Sequence, residues 1–127
     1  MSFVLGPRSL AKLEGVHPDL VRVIQRAIEI SPVDFAVTEG LRTLARQKEL
    51  LAAGATTTLK SRHLTGHAVD LAPYAARKLR WDWPLFDQLI PAVKQAAIEC
   101  GVQCEFGYDW TTFKDAPHIQ LSWEKYP

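Results

Sequence analysis

Residues 61–70 read SRHLTGHAVD, and together with DAPH at residues 115–118 they set the architecture of the chain. Gly66 permits a tight approach of the backbone, and the residues after it, HAVDLA at 67–72, alternate in the manner of a strand. Successive side chains of a strand point to opposite faces, so Ala68, Asp70 and Ala72 share one face and His67, Val69 and Leu71 the other. HIQLS at 118–122 repeats the arrangement, with Ile119 and Leu121 on one face and His118, Gln120 and Ser122 on the opposite one. If both strands lie in one sheet with the aliphatic residues turned toward a core, Asp70 and His118 emerge together on the other surface. His63, seven residues before Asp70 on the incoming loop, can fold back over them. The small side chains of Ala68 and Ala72 leave room there for an ion and a substrate.

Two imidazoles and one carboxylate with an open fourth position are the donor set of a catalytic zinc site. Zinc takes imidazole nitrogen and carboxylate oxygen at about 2.0–2.2 Å and keeps a water when only three protein ligands are present. Asp115, three residues before His118, is placed to be the base that this water needs. Asp109 is the alternative acid, farther from His118 in sequence. His67 is a rival ligand, being four residues from His63, but that spacing favours a shared metal only on a helix. Strand alternation sends it away from Asp70. The spacing by itself leaves a second reading open, an ordinary α+β domain with incidental histidines.

Outward from these stretches the chain alternates helices and short strands. Residues 9–15 suit a short helix with Ser9 as N-cap and Gly15 as its stop. Pro18 sits at a first helical turn, and Leu20, Val23, Ile24, Ala27 and Ile28 recur at helical spacing until Ser31-Pro32 ends the segment. His17 reads as a residue at the start of that helix. Residues 35–38 form a strand pattern broken by Glu39-Gly40, and Thr43 caps a helix over 44–53 that Gly54 terminates. Arg42 is either a surface guanidinium or a fixed cation of the site, and Glu39 either orients it or occupies a turn. Residues 56–60 are polar and aperiodic, a loop into the site in which Ser61 can position His63.

Residues 78–83 form a basic and aromatic connection in which Trp81 and Trp83 either line a groove for glycan or peptide or pack, packing being the expected role. Pro84 starts a helix that ends at Gly101 and that Pro91 should kink or divide. Residues 102–106 give a further strand, and the loop 107–114 carries Tyr108, Asp109 and Trp110 toward a cleft wall.

A chain of 127 residues bounds a single domain with one core. The net charge of +1 and 47% hydrophobic content argue against a nucleic-acid binder and against disorder. Neither a run of eighteen apolar residues nor a cleavable leader is visible, so stable membrane insertion is not expected and synthesis as a soluble cytoplasmic protein is. Cys100 and Cys104 fit free, partly buried thiols better than a disulfide or a zinc pair.

The run S-x-H-x-x-G-x-A-x-D at 61–70 and the D-x-x-H at 115–118 resemble the paired signatures of the zinc D-Ala-D-Ala carboxypeptidase (VanY-like) superfamily. The similarity is closer to phage endolysins of the L-alanyl-D-glutamate peptidase type. It rests on the MSF start, ISPVDFAVTEGLRT at 30–43, the H-x-T-G-x-A-x-D-x-A-P-Y pattern at 63–74 and FGYDW at 106–110, and covers nearly the whole chain. Departures fall at 54–61 and 110–115, where this chain is shorter, and at His67.

The resemblance implies an α+β fold, a small antiparallel sheet packed against helices of the Hedgehog/DD-peptidase-like kind. It implies His63, Asp70 and His118 as Zn2+ ligands, Asp115 as catalytic carboxylate and Arg42 beside the metal. Ser61, Tyr108, Asp109 and Trp110 are then substrate contacts. The implied activity is hydrolysis of the L-Ala to D-Glu amide of peptidoglycan by a monomer that reaches the periplasmic wall with a holin's help, without a separate wall-binding domain. A D-Ala-D-Ala carboxypeptidase or dipeptidase, and a catalytically silent zinc-containing wall-binding module, are the alternatives.

Overall fold

The computed structural model of the chain describes residues 3–56, 58–112 and 114–127. Among these residues four helices, α1 (Pro7–Lys12), α2 (Pro18–Ile30), α3 (Leu44–Ala52) and α4 (Trp83–Cys100), accompany five strands. These are β1 (Asp34–Glu39), β2 (Ala68–Ala75), β3 (Lys78–Leu79), β4 (Cys104–Phe106) and β5 (His118–Leu121). The sheet runs in the order β1-β2-β5-β4 with β3 hairpinned onto β2, and every pairing is antiparallel. The fold is therefore α+β.

Alternation along β2 and β5 divides the sheet into two faces. Val69, Leu71, Ile119 and Leu121 join Phe35 and Val37 in a core closed by Leu20, Val23, Ile24 and Ala27 of α2 and by Phe86, Leu89, Ile90 and Val93 of α4. Each fully buried large aliphatic or aromatic side chain contributes about 1.5–3 kcal/mol by leaving water. The opposite face carries Asp70 and His118, which are paired residues in the β2–β5 ladder. On the other flank a β-bulge between Val37 and Glu39 brings Glu39, instead of Thr38, opposite Asp70. Glu39, Asp70 and His118 thus form one row across three strands, an instance of a bulge re-aiming a side chain.

Four local expectations change. Ser9 is not the cap of α1, which begins after Gly6; its buried hydroxyl instead accepts from the Val37 N–H at 3.0 Å and ties α1 to β1. Pro91 does not divide α4, which runs through it, because the apolar face on either side is held against the core. Residues 78–79, read as part of a connection, pair with β2 as β3 after a turn in which Ala76 and Arg77 are both at positive φ. Trp81 is 56% exposed, so packing is not its role.

Candidate active site

Two backbone constraints deliver His63. Ser61 caps a 3₁₀ turn over Arg62–Thr65, its Oγ accepting from the His63 N–H at 3.2 Å, and Gly66 closes the turn at φ +76°. A Cβ on Gly66 would lie 2.3 Å from the Gly15 carbonyl oxygen, so this position admits no side chain. His63 folds back over the sheet as its spacing suggested, and it is 2% exposed. Its Nδ1 hydrogen-bonds the Gly40 carbonyl at 2.9 Å and its Nε2 lies 3.2 Å from Asp70 Oδ1.

His118 approaches the same oxygen from β5, Nδ1 to Oδ1 at 3.4 Å. Its other nitrogen, Nε2, donates to Gln120 Oε1 at 2.7 Å. The Gln120 amide is itself oriented, because its Nε2 donates to Glu105 Oε1 at 3.0 Å. One ligand atom from each of His63, Asp70 and His118 lies within 4.8 Å of the others, close enough for all three to hold one metal ion. Both imidazoles have their outer nitrogen committed to an acceptor, so in the neutral rings the lone pairs of His63 Nε2 and His118 Nδ1 face the shared point. That is the outer-shell arrangement that fixes the tautomer of a ligating histidine.

The charges within the trio are strongly coupled. Burial alone would raise the Asp70 carboxyl, but the hydrogen bonds from His118 and His63 outweigh it and hold the group well below the usual carboxylate range. Burial opposes the imidazolium of His118, yet its bond to Asp70 raises the group overall. Asp115 moves the other way. Burial, followed by the Asp70 charge, raises its carboxyl. Its turn is built by the Asp115 N–H to Gly107 O bond (3.0 Å) and the His118 N–H to Asp115 O bond (3.0 Å). A Cβ on Gly107 would lie 2.2 Å from Asp115 O, so a glycine is needed there.

These groups open into a cleft of about 500 Å3 whose lining includes Arg42, Ser61, His63, Asp70, Trp110, Asp115 and His118. Arg42 is held on one edge by Glu39, with Nε to Oε1 and Nη2 to Oε2 both at 2.6 Å, and its Nη1 donates to Gln47 Oε1 at 2.6 Å. The bidentate geometry makes Arg42 a rigid cation, and gives Glu39 the orienting place. Trp110 stands with its ring 5.3 Å from that of His118.

Tyr108 and Asp109 are not brought into this cleft. Tyr108 donates to Asp87 and packs against Trp83, and Asp109 pairs with Lys94 Nζ at 2.7 Å, so both face α4. His67 turns away from Asp70 to bond Thr65 Oγ1 and lie beside His17. His17 caps α2, its Nδ1 accepting from the Asp19 N–H. Cys100 and Cys104 are free thiols.

Gln47, Gln120 and Glu105 are site residues that sequence reasoning missed. Gln47 is the single buried side chain of α3, and its Nε2 donates to the Thr58 carbonyl at 2.6 Å, joining Arg42 to the loop. The placement of Gln120 on the His118 face was readable from the alternation; its bond to Glu105 on another strand was not.

Residues 1–122 match the family model described as phage L-alanyl-D-glutamate peptidase. The L-alanyl-D-glutamate peptidase of Escherichia phage T5 is 40% identical over 119 residues, covering 91% of this chain and 87% of that protein. That of Listeria phage A118 is 26% identical over 122 residues, 94% of this chain but 42% of that longer protein. The crystal structure of the Serratia marcescens L-Ala D-Glu endopeptidase ChiX superposes with a TM-score of 0.92 at 50% identity, covering 98% of this chain and 94% of that one. A match across nearly the full sequence, together with a fold shared at half identity, makes this chain a member of the phage L-alanyl-D-glutamate peptidase family.

Proposed function

We propose that the protein is a zinc endopeptidase that hydrolyses the L-Ala to D-Glu amide of the peptidoglycan stem peptide. The observation that carries this reading is the convergence of His63, Asp70 and His118 beside Asp115 in one cleft. The donor set fits zinc, since two imidazoles with fixed tautomers and one carboxylate leave a coordination position for solvent or substrate. Bound there, zinc would supply Lewis-acid polarisation of the scissile carbonyl and activation of the attacking water.

The chain's own residues provide the rest. Asp115 accepts the proton of the attacking water and returns it to the departing amine, a role served by a carboxyl raised through burial. Arg42, immobilised by Glu39 and Gln47, offers fixed positive charge to the oxyanion with no reorganisation during the reaction. Ser61 holds the turn that presents His63, and Trp110 walls the cleft next to His118. Tyr108 and Asp109, engaged with Asp87 and Lys94 of α4, are left out of the proposed substrate contacts.

The same proposal has this catalytic domain act as a monomer that meets peptidoglycan at the periplasmic wall after holin-assisted release. Among the described residues no helix is long and apolar enough to cross a membrane.

Asp115→Asn tests the reading. It keeps zinc stoichiometry while cleavage of purified murein falls by about 10²–10⁴-fold, and unchanged turnover would exclude Asp115 as the base. Mass spectrometry of the wild-type digest must show new N-terminal D-Glu; released D-Ala would assign the carboxypeptidase reaction instead.

A further inference from the structure

The cleft is lined by a second tryptophan. Trp123 lines it together with Lys60, Ser61 and Gln120, and is 53% exposed. The guanidinium of Arg62 stacks on the indole at 3.8 Å from the ring centroid. Arg62 is itself 5% exposed, and its Nη2 donates to the carbonyls of Leu121 (3.1 Å) and Tyr126 (2.6 Å). The backbone N–H of Trp123 donates to Glu105 Oε2 at 3.1 Å, and the other oxygen of that carboxylate holds the Gln120 amide that orients His118. The indole is thus backed by a buried cation and tied, through Glu105 and Gln120, to a proposed metal ligand. A ring needed only for packing has no reason to be fixed at both its face and its backbone with half its surface left open.

We propose that Trp123 is a stacking platform for a pyranose ring of the glycan strand. This rests on the proposed substrate. The stem peptide begins with L-Ala attached through a lactyl group to a muramyl sugar, so the scissile carbonyl and the sugar are separated by two residue-length units, about 7 Å when extended. A cleft that grips this bond must receive the sugar as well. Trp110 lies against His118, which leaves Trp123 as the other tryptophan lining the cleft and as the aromatic surface open to the sugar. A pyranose presents a face of C–H groups that suits an indole. The positive charge of Arg62 behind the ring weakens its attraction for an ammonium, so a neutral ring is favoured over a basic side chain.

The test compares wild type, Trp123→Ala and Trp123→Phe on N-acetylmuramyl-L-Ala-D-Glu-diaminopimelate and on the same peptide lacking the sugar. In Trp123→Ala the ratio of kcat/KM between the two substrates falls about tenfold, through KM, and Trp123→Phe keeps most of it. An equal loss on both substrates, or no loss on either, overturns the proposal and assigns Trp123 to the peptide or to packing. Binding is read separately by NMR, titrating wild type with N-acetylmuramyl-L-alanine. The Trp123 indole N–H resonance shifts if the platform is used, and a resonance that stays put overturns the proposal. Because this titration needs no turnover, it decides the point even if the wild type fails to cleave the L-Ala to D-Glu bond, an outcome that would instead refute the proposed function.

Discussion

Replacing Gln120 by leucine probes the link between the sheet and the metal. Gln120 and His118 are each 6% exposed, so the leucine keeps the volume and excludes water from the space the amide held. In the metal-free protein the cost is small. His118 shifts its proton to Nδ1, toward Asp70 Oδ1 at 3.4 Å, and leaves Nε2 bare against the leucine. Metal binding claims the Nδ1 lone pair and forces the proton back to Nε2, where it has no acceptor. An unsatisfied buried donor costs about 1–3 kcal/mol, and the penalty falls on the loaded form alone. Zinc affinity therefore drops by about 10–100-fold, in the range found for removal of a histidine's outer partner. The measurement is competition against a chelator of known affinity at neutral pH. Gln120→Glu restores an acceptor, though beside Glu105, and should recover part of the loss. Zinc affinity of Gln120→Leu within twofold of wild type, with the fold intact, would refute the reasoning.

Three further outcomes follow from the geometry. Gly66→Ala combines a left-handed φ of +76° with a Cβ 2.3 Å from the Gly15 carbonyl, and should cost about 3 kcal/mol or more in urea unfolding. The metal-free protein should show a stability maximum between about pH 4 and 6.5 arising from the trio. Asp70, depressed on folding, contributes above its unfolded value and loses that contribution as pH falls, whereas His118, raised on folding, contributes below its unfolded value and loses it as pH rises. Chelator-treated protein unfolded in urea across this range checks both limbs, and Asp70→Asn should flatten them. Burial, and then the neighbouring Cys100 and Glu105, push the Cys104 thiol up to about 12. Peptide mapping after alkylation at mildly alkaline pH should find Cys104 unmodified in folded protein and modified in urea.

The strand alternation in HAVDLA and HIQLS made the two faces of the sheet legible before any coordinates, because a period of two leaves little choice once one face must be buried. The same property turned His67 away from Asp70, whereas His63 was read from its spacing on the incoming loop. What escaped was set by contacts distant in sequence. The turn at Ala76-Arg77 takes positive φ without the glycine or asparagine that marks such turns. Ser9 was legible as a cap by residue type, yet its hydroxyl serves Val37, 28 residues away. Tyr108 and Asp109 face α4 because Asp87 and Lys94 receive them there, and nothing in FGYDW reveals on which side that helix lies. The bulge that aims Glu39 depends on the register with β2, which local composition does not encode.

The alignment of Glu39, Asp70 and His118 across three strands restricts how sequences of this kind can lengthen or shorten. Losing or gaining one residue between 68 and 70, or between 118 and 120, would send a proposed metal ligand into the aliphatic interior. Loops have no such parity. Length variation among functional relatives should therefore collect at 54–61 and 110–115, leaving the strand segments of constant length however far the surrounding residues diverge.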